Sequence, residues 1–357
     1  MEDALKNYFL AFVRLGIGHE GVAVQEQIDW NAIESLATAQ GLSAILVDGI
    51  ERITGMSRPP KELLLQWIGS VMQGYEQRYE LYQRAISELA GFYNSHGFRM
   101  MVLKGYACSM NWPKPEHRPC GDIDIWQFGC YKEADAQLAS EKGLKIDSSH
   151  HHHTVFYWRG FMVENHYDFI NIHHHKSNVD FERLLKELGN DDGYSIDVKG
   201  ERVYLPSPQL HSLFLLKHAA IEFAASGMNL RQVLDWAFFV QAYGKDVNWD
   251  WLEDVLERFG MKRFYNMINA ICVDNLGFNA SLFPTIQKDE AMKERVLNEI
   301  LFPEIPNEKP NRLLARVIWK FRRWKGNAWK HRLCYNESLW SAFWSGMWSH
   351  ILKPSSI

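Results

Sequence analysis

"LKGYACSMNWPKPEHRPCGDIDIW", residues 103–126, sets two aspartates one residue apart in a run that otherwise reads as a buried strand. Side chains alternate along a strand, so Asp122, Asp124 and Trp126 share one face while Ile123 and Ile125 point into a core. Each carboxylate is costly to desolvate, and two on one face repel unless a cation sits between them. Hard oxygen donors of this kind suit Mg²⁺, which takes its other ligands from water and substrate phosphates. Upstream, Lys104 and Gly105 join the strand-like "FRMMVL" to the helix-like "YACSMNW". A glycine at such a turn lets backbone amides approach phosphate oxygens, and a helix N-terminus adds favourable partial charge. Lys104 and Gly105 are therefore candidate phosphate contacts, with Arg118 in the proline-punctuated loop "PKPEHRP" as a further cation. The plainer alternatives are a solvent-facing aspartate pair, a lysine that ends a strand and a glycine that starts a helix.

Further along, "KEADAQLASEKG" has helical spacing and ends on a C-cap-like glycine, Gly143. Two strands follow, "HHHTVFYWRG" and "FMVENHYDFI", joined near Gly160. On the second, Glu164 shares a face with Met162, His166 and Asp168, which makes it the candidate third carboxylate for a site that uses two metal ions. Helical periodicity dominates both ends of the chain, with strand-like alternation confined to the middle. The expected fold class is α+β: a small mixed sheet in residues 98–205, flanked by an N-terminal helical unit (1–97) and a C-terminal helical domain (206–357). Such a sheet is too small to bury both faces alone. Residues 209–243 are the natural opposing wall of a cleft, bringing His218, Arg231 or Asp235 towards the aspartates. Arg231 and Asp235 also form an i, i+4 pair that serves equally as a helix-stabilising contact.

"LKG", a loop with Arg118, "GDIDIW" and then "VENHYDF" resemble, in that order, the polymerase-beta-type nucleotidyltransferase superfamily. Within it, the chain is most similar to a bacterial group known only as an uncharacterised nucleotidyltransferase family. "LPSPQLHSLFLLKHAAIEFAASGMNLRQVLDWAFFV" extends the resemblance, with its Pro-Ser-Pro entry, histidine-bearing helix and Arg followed four residues later by Asp. The resemblance spans residues 98–243. The superfamily usually carries Gly-Ser or Gly-Gly at the phosphate turn, where this chain has Lys104, Gly105 and Tyr106. What the resemblance implies is transfer of a nucleoside monophosphate from an NTP, such as ATP, to an acceptor, with two Mg²⁺ ions and release of pyrophosphate. Asp122, Asp124 and Glu164 would be the metal-binding catalytic acids. Lys104, Gly105, Arg118, His166, His218, Arg231 and Asp235 would line the nucleotide or acceptor site. Acceptors in the superfamily include small molecules, proteins and nucleic acids, and the fold does not select among them. The alternative is a nucleotide-binding or regulatory protein that has lost turnover.

Composition bounds the remaining classes. A net charge of −4 argues against a globally basic nucleic-acid binder. No run approaches the roughly 18–20 apolar residues of a membrane span. The N-terminus lacks the pattern of a secretory signal, and five cysteines without a CxxC pair speak against a disulfide framework or thiolate zinc site, so a reducing cytoplasm is expected. The runs His150–His153 and 173–175 invite a zinc reading. Consecutive strand residues point to opposite faces, however, so four in a row need a sharp bend to meet one ion, and His151 or His153 is expected to face the cleft beside Glu164. Finally, residues 312–332 hold eight Lys or Arg and no acid, interleaved with Trp319, Phe321, Trp324 and Trp329. This suits an anionic partner or surface, or equally a helix whose tryptophans dock on the core while its basic stems snorkel.

Overall fold

The computed structural model describes residues 2–20, 28–53, 58–173, 175–190, 194–225, 227–284, 287, 289–305 and 313–341. Its centre is a mixed six-stranded sheet in the order β3-β4-β2-β1-β6-β5. The strands are β1 (Met101–Val102), β2 (Ile123–Trp126), β3 (His153–Trp158), β4 (Phe161–His166), β5 (Tyr194–Val198) and β6 (Glu201–Leu205). β2 lies antiparallel to β1 and parallel to β4, and β1 runs parallel to β6. The two hairpins, β3–β4 and β5–β6, turn through Arg159–Gly160 and Lys199–Gly200, all four residues at positive φ. That geometry matches the twist of antiparallel strands. The β5–β6 hairpin was not anticipated in the sequence, although "YSIDVKGERVYL" carries a two-residue X-Gly turn between alternating runs.

Alternation along the strands produces two separate cores. Val102, Ile123, Ile125, Phe156, Val163 and Val203 pack on one face against helices from both sides of the chain: α5 (Arg78–Ser95), which contributes Tyr82, Ile86, Leu89 and Tyr93, and α7 (Tyr131–Lys142), which contributes Ala134 and Leu138. α7 ends at Gly143 in the left-handed conformation, as its sequence predicts. The opposite face presents Met101, Leu103 and Trp126 to a larger core with Phe181 and Leu185 of α8 (Ser177–Gly189), Leu213 and Phe214 of α9 (Pro208–Ala225), and Leu234 of α10 (Leu230–Tyr243). Burying each such side chain contributes about 1.5–3 kcal/mol. The same core continues into α1 (Glu2–Gly16), α2 (Trp30–Ala39), α3 (Ser43–Glu51) and α4 (Lys61–Val71), and into α11 (Trp249–Arg258), α12 (Lys262–Ala270) and α13 (Glu290–Leu301). Gln40 ties these layers together: its amide donates to the Ile300 carbonyl and accepts from the Leu230 backbone.

The basic aromatic stretch divides between α14 (Leu313–Gly326) and α15 (Ala328–Cys334). Trp329 docks in the core, whereas Phe321 is exposed. Arg312 and the segment 342–357 lie outside the described residues, as does His174 of the second histidine run. No helix among the described residues is long and apolar enough to cross a membrane.

Candidate active site

The site is assembled where β2 meets β4 and β1 turns into the short helix α6 (Tyr106–Ser109). Asp124 pairs in register with Glu164 on the neighbouring parallel strand, so their side chains share a face. Asp124 is fully buried and held from two sides, by Lys104 Nζ at 3.0 Å and His166 Nε2 at 3.1 Å. The same His166 nitrogen lies 3.6 Å from Glu164 Oε2, and His153 Nδ1 lies 3.7 Å from it. Burial by itself raises a carboxyl pKa, but Lys104 and His166 outweigh it and hold Asp124 far below the usual range. Reciprocally, His166 overcomes its own burial through Asp124 and Glu164 and is raised to about 9. Glu164 is lowered too, the His166 contact prevailing over desolvation.

Asp122, one residue before β2, behaves differently. Desolvation and the nearby negative charge of Asp124 raise its carboxyl pKa. Its backbone carbonyl accepts the Tyr82 hydroxyl at 2.7 Å, which fixes the entry to β2. Among the described residues, the carboxylate group with donor atoms mutually within 4.8 Å comprises Asp124, Glu164 and His166; Asp122 stands outside it.

A cavity of about 270 Å³ opens in front of the aspartates. Asp122, Asp124, Lys104 and Gly105 form its sheet side, and His218, Glu222 and Arg231 its helical side. Arg118 and Asp235 also line it. Glu164 and His166 do not. α10 starts at Asn229, whose backbone N–H donates to Gln232 Oε1 at 3.0 Å while its carbonyl accepts from the Gln232 N–H at 3.1 Å. This start, together with i, i+4 spacing, puts Arg231 and Asp235 on one face towards the sheet.

The charges across the cavity are not equally free. Arg118 grips Asp235 through Nε to Oδ1 at 2.7 Å and Nη2 to Oδ2 at 2.8 Å, and Trp112 Nε1 donates to the same carboxylate at 2.9 Å. Both ends of this fork are buried, so the pair is engaged with itself. Arg231 has a buried Nε without a hydrogen-bond partner, and burial next to Arg118 lowers its pKa. Lys104 Nζ is also 3.0 Å from His218 Nε2, while His218 Nδ1 lies 3.1 Å from Glu222 Oε1. Burial, with the Lys104 charge adding to it, pushes His218 well below its ordinary pKa and keeps it neutral.

Sequence reasoning missed three contributors. Glu222, an i+4 neighbour of His218, was legible in principle. Tyr82 was not, because nothing in an amphipathic helix marks one tyrosine as the partner of a carbonyl forty residues away. Nor was Trp112, whose Asp235 contact is 123 residues distant. The histidine run also departs from expectation. The chain bends through residues 150–152 before β3 begins, so His152 leaves the strand alternation and converges with His153 and His166. His153 does stand beside Glu164, whereas the His151 ring lies against His173.

A family model described as "Uncharacterised nucleotidyltransferase" matches residues 26–277. Among solved structures, an antigenic nucleotidyltransferase-like protein from Paracoccidioides brasiliensis is similar at 16% identity, over 45% of this chain and 75% of that chain, with a TM-score of 0.33. No curated protein matches.

Proposed function

The chain belongs to this uncharacterised nucleotidyltransferase family, and from that premise we propose that it transfers a nucleoside monophosphate from an NTP to an acceptor hydroxyl or similar nucleophile. The acceptor oxygen bonds to the α-phosphorus, the bond from that phosphorus to the bridging oxygen breaks, and pyrophosphate leaves. The observation that carries the reading is the cavity shared by Asp122 and Asp124 with Lys104 and with Arg231, whose Nε has no hydrogen-bond partner. Carboxylates on one wall and guanidinium on the other suit a metal-bound triphosphate.

The donor set fits Mg²⁺. Asp122 and Asp124 offer oxygen to the cavity, Glu164 stands in register with Asp124 on β4, and the raised pKa of Asp122 marks a carboxylate whose charge a cation would relieve. When bound, Mg²⁺ supplies Lewis-acid stabilisation of charge on the attacking and leaving oxygens. The remaining work belongs to the chain. His166 orients both Asp124 and Glu164. Lys104, now on Asp124, would turn to a phosphate, and Arg231, on the α10 side of the cavity, would meet the triphosphate. Glu164 accepts the acceptor's proton. With all five cysteines free, the reaction belongs in a reducing compartment, the cytoplasm.

The double hold on Asp124 by Lys104 and His166 favours a second reading, a nucleotide-binding regulator without turnover. Two measurements separate them. Calorimetry with Mg²⁺ and a non-hydrolysable NTP analogue should show binding that Asp122→Asn reduces at least tenfold. Pyrophosphate release with a pool of acceptors should be lost in Glu164→Gln while most nucleotide binding persists. Binding without pyrophosphate release in the wild type would favour the regulator; the absence of Mg²⁺-linked binding would sink both.

A further inference from the structure

We infer that His152, His153 and His166 form a binding site for a borderline divalent transition metal of the Zn²⁺, Co²⁺ or Ni²⁺ class, which shares His166 with the carboxylate group beside it. Their donor nitrogens all lie within 4.8 Å of one another. The ring centroids are 4.3 Å apart for His152 and His153, 5.3 Å for His153 and His166, and 5.6 Å for His152 and His166. The backbone builds this convergence deliberately from two sources. His153 and His166 face each other directly across the β3–β4 ladder. His152 is pinned over the end of β4, its carbonyl accepting from the Tyr167 and Asp168 amides at 3.0 and 3.1 Å.

A second observation points to a ligand. The Nδ1 atoms of both His152 and His153 are buried without a hydrogen bond, that of His153 standing 3.7 Å from Glu164 Oε2, and His153 is only 6% exposed. Buried ring nitrogens without partners are costly, and a metal ion would satisfy them. Nitrogens bound at about 2.0–2.1 Å to a tetrahedral ion lie roughly 3.3–3.4 Å apart, so small side-chain rotations close the cluster. Imidazole donors favour Co²⁺, Ni²⁺ and Zn²⁺ over Mg²⁺. His166 is anchored through Nε2 on Asp124 and Glu164, the kind of carboxylate support that orients metal-binding imidazoles, and its Nδ1, 3.2 Å from the Asp168 carbonyl, would turn from that carbonyl to the ion. The fourth position is left to water.

The inference does not depend on nucleotidyl transfer, and its test uses metal alone. The full-length chain, freed of any affinity tag and stripped with chelator, is dialysed against Zn²⁺ or Co²⁺. Elemental analysis should return one ion per chain, and Co²⁺ should give the intense visible absorption of a low-coordinate, nitrogen-bound ion. His152→Ala, at a position outside the strand, and His153→Gln should each weaken Co²⁺ binding at least tenfold, whereas Asp122→Asn should leave it unchanged. Failure of the wild type to retain an ion overturns the site without reference to any variant's folding. So does a weak octahedral Co²⁺ spectrum that His152→Ala leaves as it was.

Discussion

Replacing Asp235 by leucine separates a structural bracket from a substrate contact. Asp235 is 4% exposed and Arg118 6% exposed, and two short charge-assisted bonds join them. Leucine removes the anion and leaves a guanidinium desolvated in the floor of the cavity. Breaking a buried pair from one side costs about 3–5 kcal/mol. The Trp112 indole N–H loses its acceptor in the same step, which places the expected loss in the upper half of that range. Equilibrium urea unfolding reads it as a lower midpoint at unchanged slope. The double variant Arg118→Met, Asp235→Leu removes both charges and should recover at least about 2 kcal/mol, a coupling energy that distant sites do not show. If Asp235→Leu costs under about 1 kcal/mol while nucleotide affinity collapses, the bracket is wrong and Asp235 is a ligand-binding group.

Gly105 sits at φ +58° and ψ −97°, and a Cβ there would lie 2.6 Å from the Tyr82 hydroxyl. Gly105→Ala should therefore cost about 1–3 kcal/mol in thermal unfolding and weaken nucleotide binding by displacing Tyr82 from the Asp122 carbonyl; unchanged values for both would remove Gly105 from the site. Lys217 is fully buried, its ammonium over the rings of Phe181 and Tyr335, and burial pushes its pKa down to about 7. The unfolded chain then binds the extra proton between about pH 7 and the ordinary lysine value, so this group makes stability rise with pH across that window. Lys217→Met should flatten that rise and stabilise the protein by a few kcal/mol at neutral pH. Parallel stability curves for the two proteins would show that Lys217 is not desolvated.

Much of the sheet was readable because strands and helices announce themselves locally. The alternation in "GDIDIW" and "FMVENHY" placed β2 and β4, and Gly143 marked the end of α7. β1 is shorter than "FRMMVLKG" suggests, covering Met101–Val102 alone. The α8 helix and the β5–β6 hairpin also carry local signals, the helical spacing of "SNVDFERLLKELG" and the Lys199–Gly200 turn between alternating runs. The histidine run is the opposite case: its periodicity spoke against convergence, and only a bend that breaks the period allows it.

By itself, then, the sequence determined which residue types share a face: Asp122 with Asp124, Glu164 with His166, Arg231 with Asp235. These follow from the two-residue and 3.6-residue periods of the backbone, properties of a few neighbouring residues. Tertiary structure decided which charge answers which. Arg118 reaches Asp235 across 117 residues, and Lys104 meets both Asp124 and His218. Burial of the apolar faces docks α9 and α10 against the sheet, and in that desolvated space every charge must find its partner among whichever groups the docking brings near.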